Sequence, residues 1–138
     1  MVMPVIPKKY EYSEENNLCL AKGIYFEAGN QSKKGKQAVA FVIFNRSLKF
    51  NKSLCEVISH KLGNKCQFDW YCQVKGNTIP SNKNWNESYE IAKDMIKNYN
   101  NYHDFTDGSL YFHATYAKAK WMRKQKFTIK IDDHLFYK

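Results

Sequence analysis

Glu27 sits where a surface glutamate is not expected. In the segment Gly23-Ile-Tyr-Phe-Glu-Ala-Gly29 it is flanked by Ile24, Phe26 and Ala28, and glycine follows at a helix end. Apolar surroundings disfavour the charged form of a carboxyl, so its pKa rises and it can stay protonated near neutrality. A carboxyl in that state is what protonating a glycosidic oxygen requires. The competing reading is an ordinary helix-surface glutamate near a C-cap, and pattern alone leaves both open.

A second cluster, Gln67-Phe-Asp-Trp-Tyr71, places an amide and a carboxylate among aromatics in a polar stretch. Such a group suits a sugar-binding wall, because sugar faces stack on rings. It equally suits a loop anchored by burying Phe68 and Trp70. Tyr111 and His113 fall on one side of an alternating stretch, and His134 begins the last one. A zinc site would need these histidines to converge with a Cys, Asp or Glu, yet no pair has short zinc-ligand spacing. A hydrogen-bonded structural histidine is the simpler account, and neither metal nor other cofactor is expected. There is no G-x-S-x-G nucleophile turn and no phosphate-cradling glycine loop.

The elements that must position these groups follow from local signals. Residues 1–12 hold Pro4 and Pro7 and read as an extended N-terminal arm, followed by one domain over 13–138. Ser13, with Glu14 and Glu15 behind it, opens a helix that Gly29-Asn30 stops. Leu20, Ile24 and Glu27 form one row on it, so Glu27 continues an apolar row. A second helix is expected from about Lys33 to Lys49; its centre, Ala38 to Phe44, is apolar on every side and predicts a buried central helix. Ser53 with Glu56 forms a capping box for a short helix. Residues 61–83 read as one long loop. Asn84 with Glu87 then caps a helix whose buried stripe is Trp85, Tyr89, Ala92 and Ile96. From Leu110 the period changes from helix to strand: 110–116, 127–131 and 134–137 alternate as three strands. The expected class is α+β, with helices first and a small antiparallel sheet last.

Composition narrows the partners without choosing one. A chain of 138 residues allows one hydrophobic core, and 43% hydrophobic residues supply it. The balance of 22 Lys and Arg against 13 Asp and Glu gives +9, which favours polyanionic partners such as nucleic acid, anionic lipid or a wall bearing carboxylates and phosphates. The lysines are spread out, which argues against nucleic acid. No stretch approaches the roughly 18 apolar residues of a membrane span, and the opening Met-Val-Met-Pro-Val-Ile-Pro-Lys-Lys lacks the apolar run of a secretory signal. Cys19 and Cys55 lie in apolar helical patterns and read as buried thiols. Cys66 and Cys72 are close enough to bridge a loop, which spacing alone does not establish.

Taken in order, several segments resemble the SleB-type cell wall hydrolase family, which includes spore-cortex lytic enzymes and phage endolysins. They are Leu18-Cys-Leu-Ala-Lys-Gly-Ile-Tyr-Phe-Glu-Ala28, Gly35-Lys-Gln-Ala-Val-Ala-Phe-Val-Ile-Phe-Asn-Arg46, Gln67-Phe-Asp-Trp70, Trp85 with Ile91-Ala92, Gly108-Ser-Leu-Tyr-Phe-His-Ala114, Trp121 and His134-Leu-Phe-Tyr137. The resemblance implies a lysozyme-like, lytic-transglycosylase-like fold with a groove between a helical lobe and a small sheet. It implies that Glu27 is the acid and base that cleaves between N-acetylmuramic acid and N-acetylglucosamine, closing a 1,6-anhydro ring. Ser47, Gln67, Trp70, Tyr111 and His113 are carried over as groove-lining or supporting positions. Asp69 stands where the family usually has Ser, so a second carboxylate at the groove could activate water and make a hydrolytic muramidase. The rival readings are a zinc amidase using His113, His134 and a Cys or Asp, and a non-enzymatic basic binding module. The implied partner is peptidoglycan, met by a monomer. Without a signal peptide, the chain would be made in the cytoplasm and act on the wall after release, as phage endolysins do, or in the spore.

Overall fold

A computed structural model describes residues 10–73, 78–117 and 124–138. The chain runs through α1 (Glu14–Ala28), α2 (Lys33–Phe50), α3 (Leu54–Ile58), a small hairpin of β1 (Lys61–Leu62) and β2 (Lys65–Cys66), and a 3-10 turn over Asp69–Cys72. After α4 (Lys83–Lys97) come β3 (Tyr111–Ala114), β4 (Phe127–Ile131) and β5 (His134–Tyr137). The last three form an antiparallel sheet in the order β3-β5-β4. The α+β class, helices first and sheet last, is the one the patterning predicts.

Each helix starts where its cap chemistry dictates. Ser13, Ser32 and Ser53 accept from the backbone N–H three residues on, and at Ser53 the Glu56 carboxylate returns the bond to complete the capping box. Asn51 ends α2 in the left-handed conformation. α4 differs from expectation: Asn82, not Asn84, is its cap, accepting from Trp85 N–H. Glu87 is instead drawn to Lys36 on α2, whose ammonium is 3.1 Å away and almost wholly buried. A buried ammonium requires such a partner, so the long-range pairing takes precedence over the local box.

The apolar centre of α2 is explained by its two neighbours. One side joins the main core with Leu20, Ile24, Trp85, Ala92 and Met95 from α1 and α4. The other packs Ala38 and Val42 against Ile131 and Phe136 of the sheet. A helix covered on both sides has no polar face to show. Two glycines permit the close approaches: a Cβ at Gly23 would come within 2.6 Å of Ile43 where α1 crosses α2, and one at Gly35 within 2.4 Å of the Asp132 carboxylate. Asp132, at the β4–β5 turn with φ of 50°, accepts from both the N–H and the hydroxyl of Ser32, tying the sheet to the start of α2.

Three local expectations are corrected. Cys19 and Cys55 are joined in a disulfide linking α1 to α3, across 36 residues of sequence, and are not free thiols. Residues 61–83 are not one long loop: they hold the β1–β2 hairpin and the Asp69–Cys72 turn, closed by a Cys66–Cys72 disulfide. Of the expected arm, residues 1–9 lie outside the described part, while Tyr10 packs into the core on Phe44 and Tyr99. Among the described residues no helix is long and apolar enough to cross a membrane.

Candidate active site

Glu27 lies in the last turn of α1, partly buried, at a cleft of about 760 Å³. Three groups of residues border this cleft. The helices contribute Phe26, Glu27 and Arg46; the hairpin and the loop after it contribute Leu62, Lys65 and residues 66–69; the sheet side contributes residues 111–114, Tyr116, Gln125 and His134. Trp70 holds the glutamate in place. Its indole N–H donates to Glu27 Oε1 at 3.2 Å, and its rings stack on Phe26 at 4.9 Å between centroids and lie 5.9 Å from Phe68. Trp70 is itself buried, and the Cys66–Cys72 disulfide closes the loop that carries it. Glu27 and Asp69 are the two carboxylates among the described residues lining the cleft.

Arg46, at the same cleft, is fixed as firmly. Its Nε donates to Leu110 O at 2.6 Å, and its guanidinium lies over the rings of Phe68 and Tyr111, 5.5 and 5.6 Å from their centroids. Burial pushes its pKa down to about 10, with Tyr111 and Glu27 opposing the shift, so it remains a cation at neutral pH. Nη1 is buried with no hydrogen-bond partner, and the two ring faces provide part of the missing solvation. Neighbouring Asn45 donates to Asp104 and to Ser109 O. The Asn45-Arg46 pair therefore fastens the end of α2 to the segment entering β3.

His113 is tied on both sides of its ring. Nδ1 lies 2.7 Å from Ala114 O, which only accepts, so that nitrogen carries the proton. Nε2 lies 2.8 Å from the Tyr137 hydroxyl, whose ring stacks on the imidazole. His134 also borders the cleft, edge-on to Phe112. Its pKa is lowered, chiefly by burial, with Asp133 and Asp132 pulling the other way and His113 adding to the lowering.

The candidates from the sequence are thus distributed unevenly. Glu27, Gln67, Asp69, Tyr111 and His113 all border the cleft, Gln67 and Asp69 as exposed groups. Trp70 stands behind Glu27 as its support. Ser47 is a correction: it is fully buried, it is absent from the cleft lining, and its hydroxyl donates to Lys52 O at 2.5 Å. One residue beyond Arg46, the helix has turned about 100° and points it inward. Among the described residues no three His, Cys, Asp or Glu side chains come together as a metal site, and all four cysteines are in disulfides. Arg46, Leu62 and Tyr116 were not singled out as site residues from the sequence. Arg46 has a usable signal, a cation one polar residue past the apolar run Ala38–Phe44.

A helical lobe and a three-stranded sheet thus border an open cleft with a carboxylate in it. The family model described as Cell Wall Hydrolase matches residues 30–137, and the chain belongs to that family. The match begins just after Glu27. Among solved structures, the chain is similar to the catalytic domain of the germination-specific lytic transglycosylase SleB from Bacillus anthracis, at 24% identity and a TM-score of 0.74, over 96% of this chain and all of the other. It is likewise similar to the catalytic domain of the Bacillus cereus SleB protein, at 20% identity and a TM-score of 0.71, over 99% of this chain and all of that one. These likenesses establish the fold. No curated protein matches the sequence significantly.

Proposed function

We propose that the chain degrades peptidoglycan by cleaving the bond between N-acetylmuramic acid and N-acetylglucosamine, with Glu27 as both acid and base. The observation that carries this is the Trp70 bond to Glu27 at the cleft. A carboxyl that must give and then retake a proton needs a fixed orientation, and a buried indole supplies it. Glu27 would protonate the leaving glycosidic oxygen. The resulting carboxylate would take the proton from the muramoyl C6 hydroxyl as that oxygen attacks the anomeric carbon, closing a 1,6-anhydro ring. As Glu27 passes to its charged form, the Trp70 N–H bond strengthens and the Arg46 cation stabilises the new negative charge, which favours the first step. Among the described residues Glu27 is the one cleft carboxylate that a buried indole orients, which supports giving it both roles.

Asp69 supports a second reading, because it borders the same cleft as an exposed carboxylate. Activating water there would give hydrolysis and a reducing muramic end. Mass spectrometry of digested muropeptides separates the two, since an anhydro end is lighter by one water. Glu27→Gln keeps the shape and removes the proton donor. On purified cell walls it should lower activity by about 10³-fold or more while leaving the thermal unfolding curve in place. Walls solubilised at the wild-type rate by Glu27→Gln would end this proposal. Activity abolished by a strong chelator would instead favour the zinc amidase.

A further inference from the structure

Seven large hydrophobic side chains are exposed among the described residues, and the two most exposed border the same cleft: Tyr116 at 87% and Leu62 at 68%. Single exposed apolar groups need no explanation, but this coincidence does. Tyr116 contributes almost nothing to the core, so its position is not set by packing. Its backbone is nevertheless held on both sides: Thr115 N–H donates to Asp133 O at 2.8 Å, and Ala117 N–H to Ala114 O at 2.9 Å. The ring is therefore presented to solvent by a fixed turn at the end of β3. Leu62 comes from a separate element, the β1–β2 hairpin, next to the left-handed Gly63.

Resting on the glycan-cleaving reading of the cleft, we infer that Tyr116 and Leu62 form a sugar-stacking subsite that takes a pyranose unit distal to the bond being cut. A pyranose presents a face of C–H groups, and a tyrosine ring presents a flat apolar face with a hydroxyl that stays wet. A tyrosine held by its backbone loses only two side-chain rotations on binding, so the contact has a low entropic cost. The acetamido methyl of an N-acetylated sugar is the group that suits Leu62. An open cleft gains its hold on a polymer from several such contacts along its length.

The test uses the full chain carrying Glu27→Gln, which would bind without cutting, and peptide-free glycan strands of alternating N-acetylglucosamine and N-acetylmuramic acid of increasing length. Adding Tyr116→Ala should weaken binding of the longer strands roughly three- to tenfold, leave the disaccharide unaffected, and leave the Tm unchanged. Tyr116→Phe should restore the affinity. In the otherwise wild-type enzyme, Tyr116→Ala should raise KM for the polymer and spare kcat. Equal affinity of the Tyr116→Ala chain and its parent for every strand would overturn the subsite alone. A loss of the same size at every length, with a lower Tm, would assign the effect to folding and also overturn it. A parent that binds no strand, together with a wild type that cuts none, would remove the glycan reading and the subsite with it.

Discussion

Replacing Trp70 with Phe tests how the candidate glutamate is held. The substitution deletes the N–H that lies 3.2 Å from Glu27 Oε1 and retains a ring that can stack on Phe26. Hydrogen bonds to charged groups contribute about 1.5–3 kcal/mol. This one is longer than the ~2.8 Å of the strongest ionic bonds, so the lower end applies. A loss of about 1.5 kcal/mol, felt when Glu27 becomes a carboxylate in the transition state, lowers kcat roughly tenfold with little change in KM. Stability changes separately. Shrinking the buried indole leaves about 40 Å³, worth ~1 kcal/mol of cavity and about as much again in lost burial. For a domain of this size the Tm then falls by about 6 °C. The assay is dye release from purified peptidoglycan at 20 °C, where both proteins are folded, beside a melting curve by circular dichroism. A folded Trp70→Phe chain with kcat within twofold of wild type would refute the reasoning, because the indole would then have no hold on the reacting carboxyl.

The two disulfides should separate stability from activity. Opening Cys19–Cys55, which spans 36 residues, by a double Ser substitution should cost about 4 kcal/mol on the chain-entropy account, against ~2.2 kcal/mol for Cys66–Cys72, which spans six. The smaller loss should nevertheless lower kcat more, since that loop carries Phe68 and Trp70; denaturant melts and wall digestion measure both. His134 sets a pH dependence. Its folded pKa lies below the ordinary 6.5, so the unfolded chain takes the proton first. The stability it provides above pH 6.5 is lost as pH falls below that value, and the loss stops once the folded pKa is passed. Between pH 7.5 and 5 the wild-type Tm should fall further than that of His134→Gln. For Asp69→Asn, kcat within threefold of wild type and unchanged anhydro ends are expected; a drop of about 10² would give Asp69 the water-activating role.

What the sequence determined was what neighbouring residues decide among themselves. Caps at Ser13 and Ser53 act within three residues, and helical or alternating periodicity acts within one or two turns. The four main helices, the three strands and the odd position of Glu27 on an apolar row were therefore legible. At Asn84 the local signal was misleading, because Lys36, distant in sequence, needed the Glu87 carboxylate for its buried charge. The site itself is built from contacts that have no local signature. Trp70 meets Glu27 across 43 residues and Arg46 meets Leu110 across 64, while Cys19 finds Cys55 across 36. Ser47 and Tyr116 make the same point in opposite directions, one turned inward by the helix and one left bare by the sheet. Which side chains face a cleft depends on how finished elements pack, and only the tertiary structure decides that.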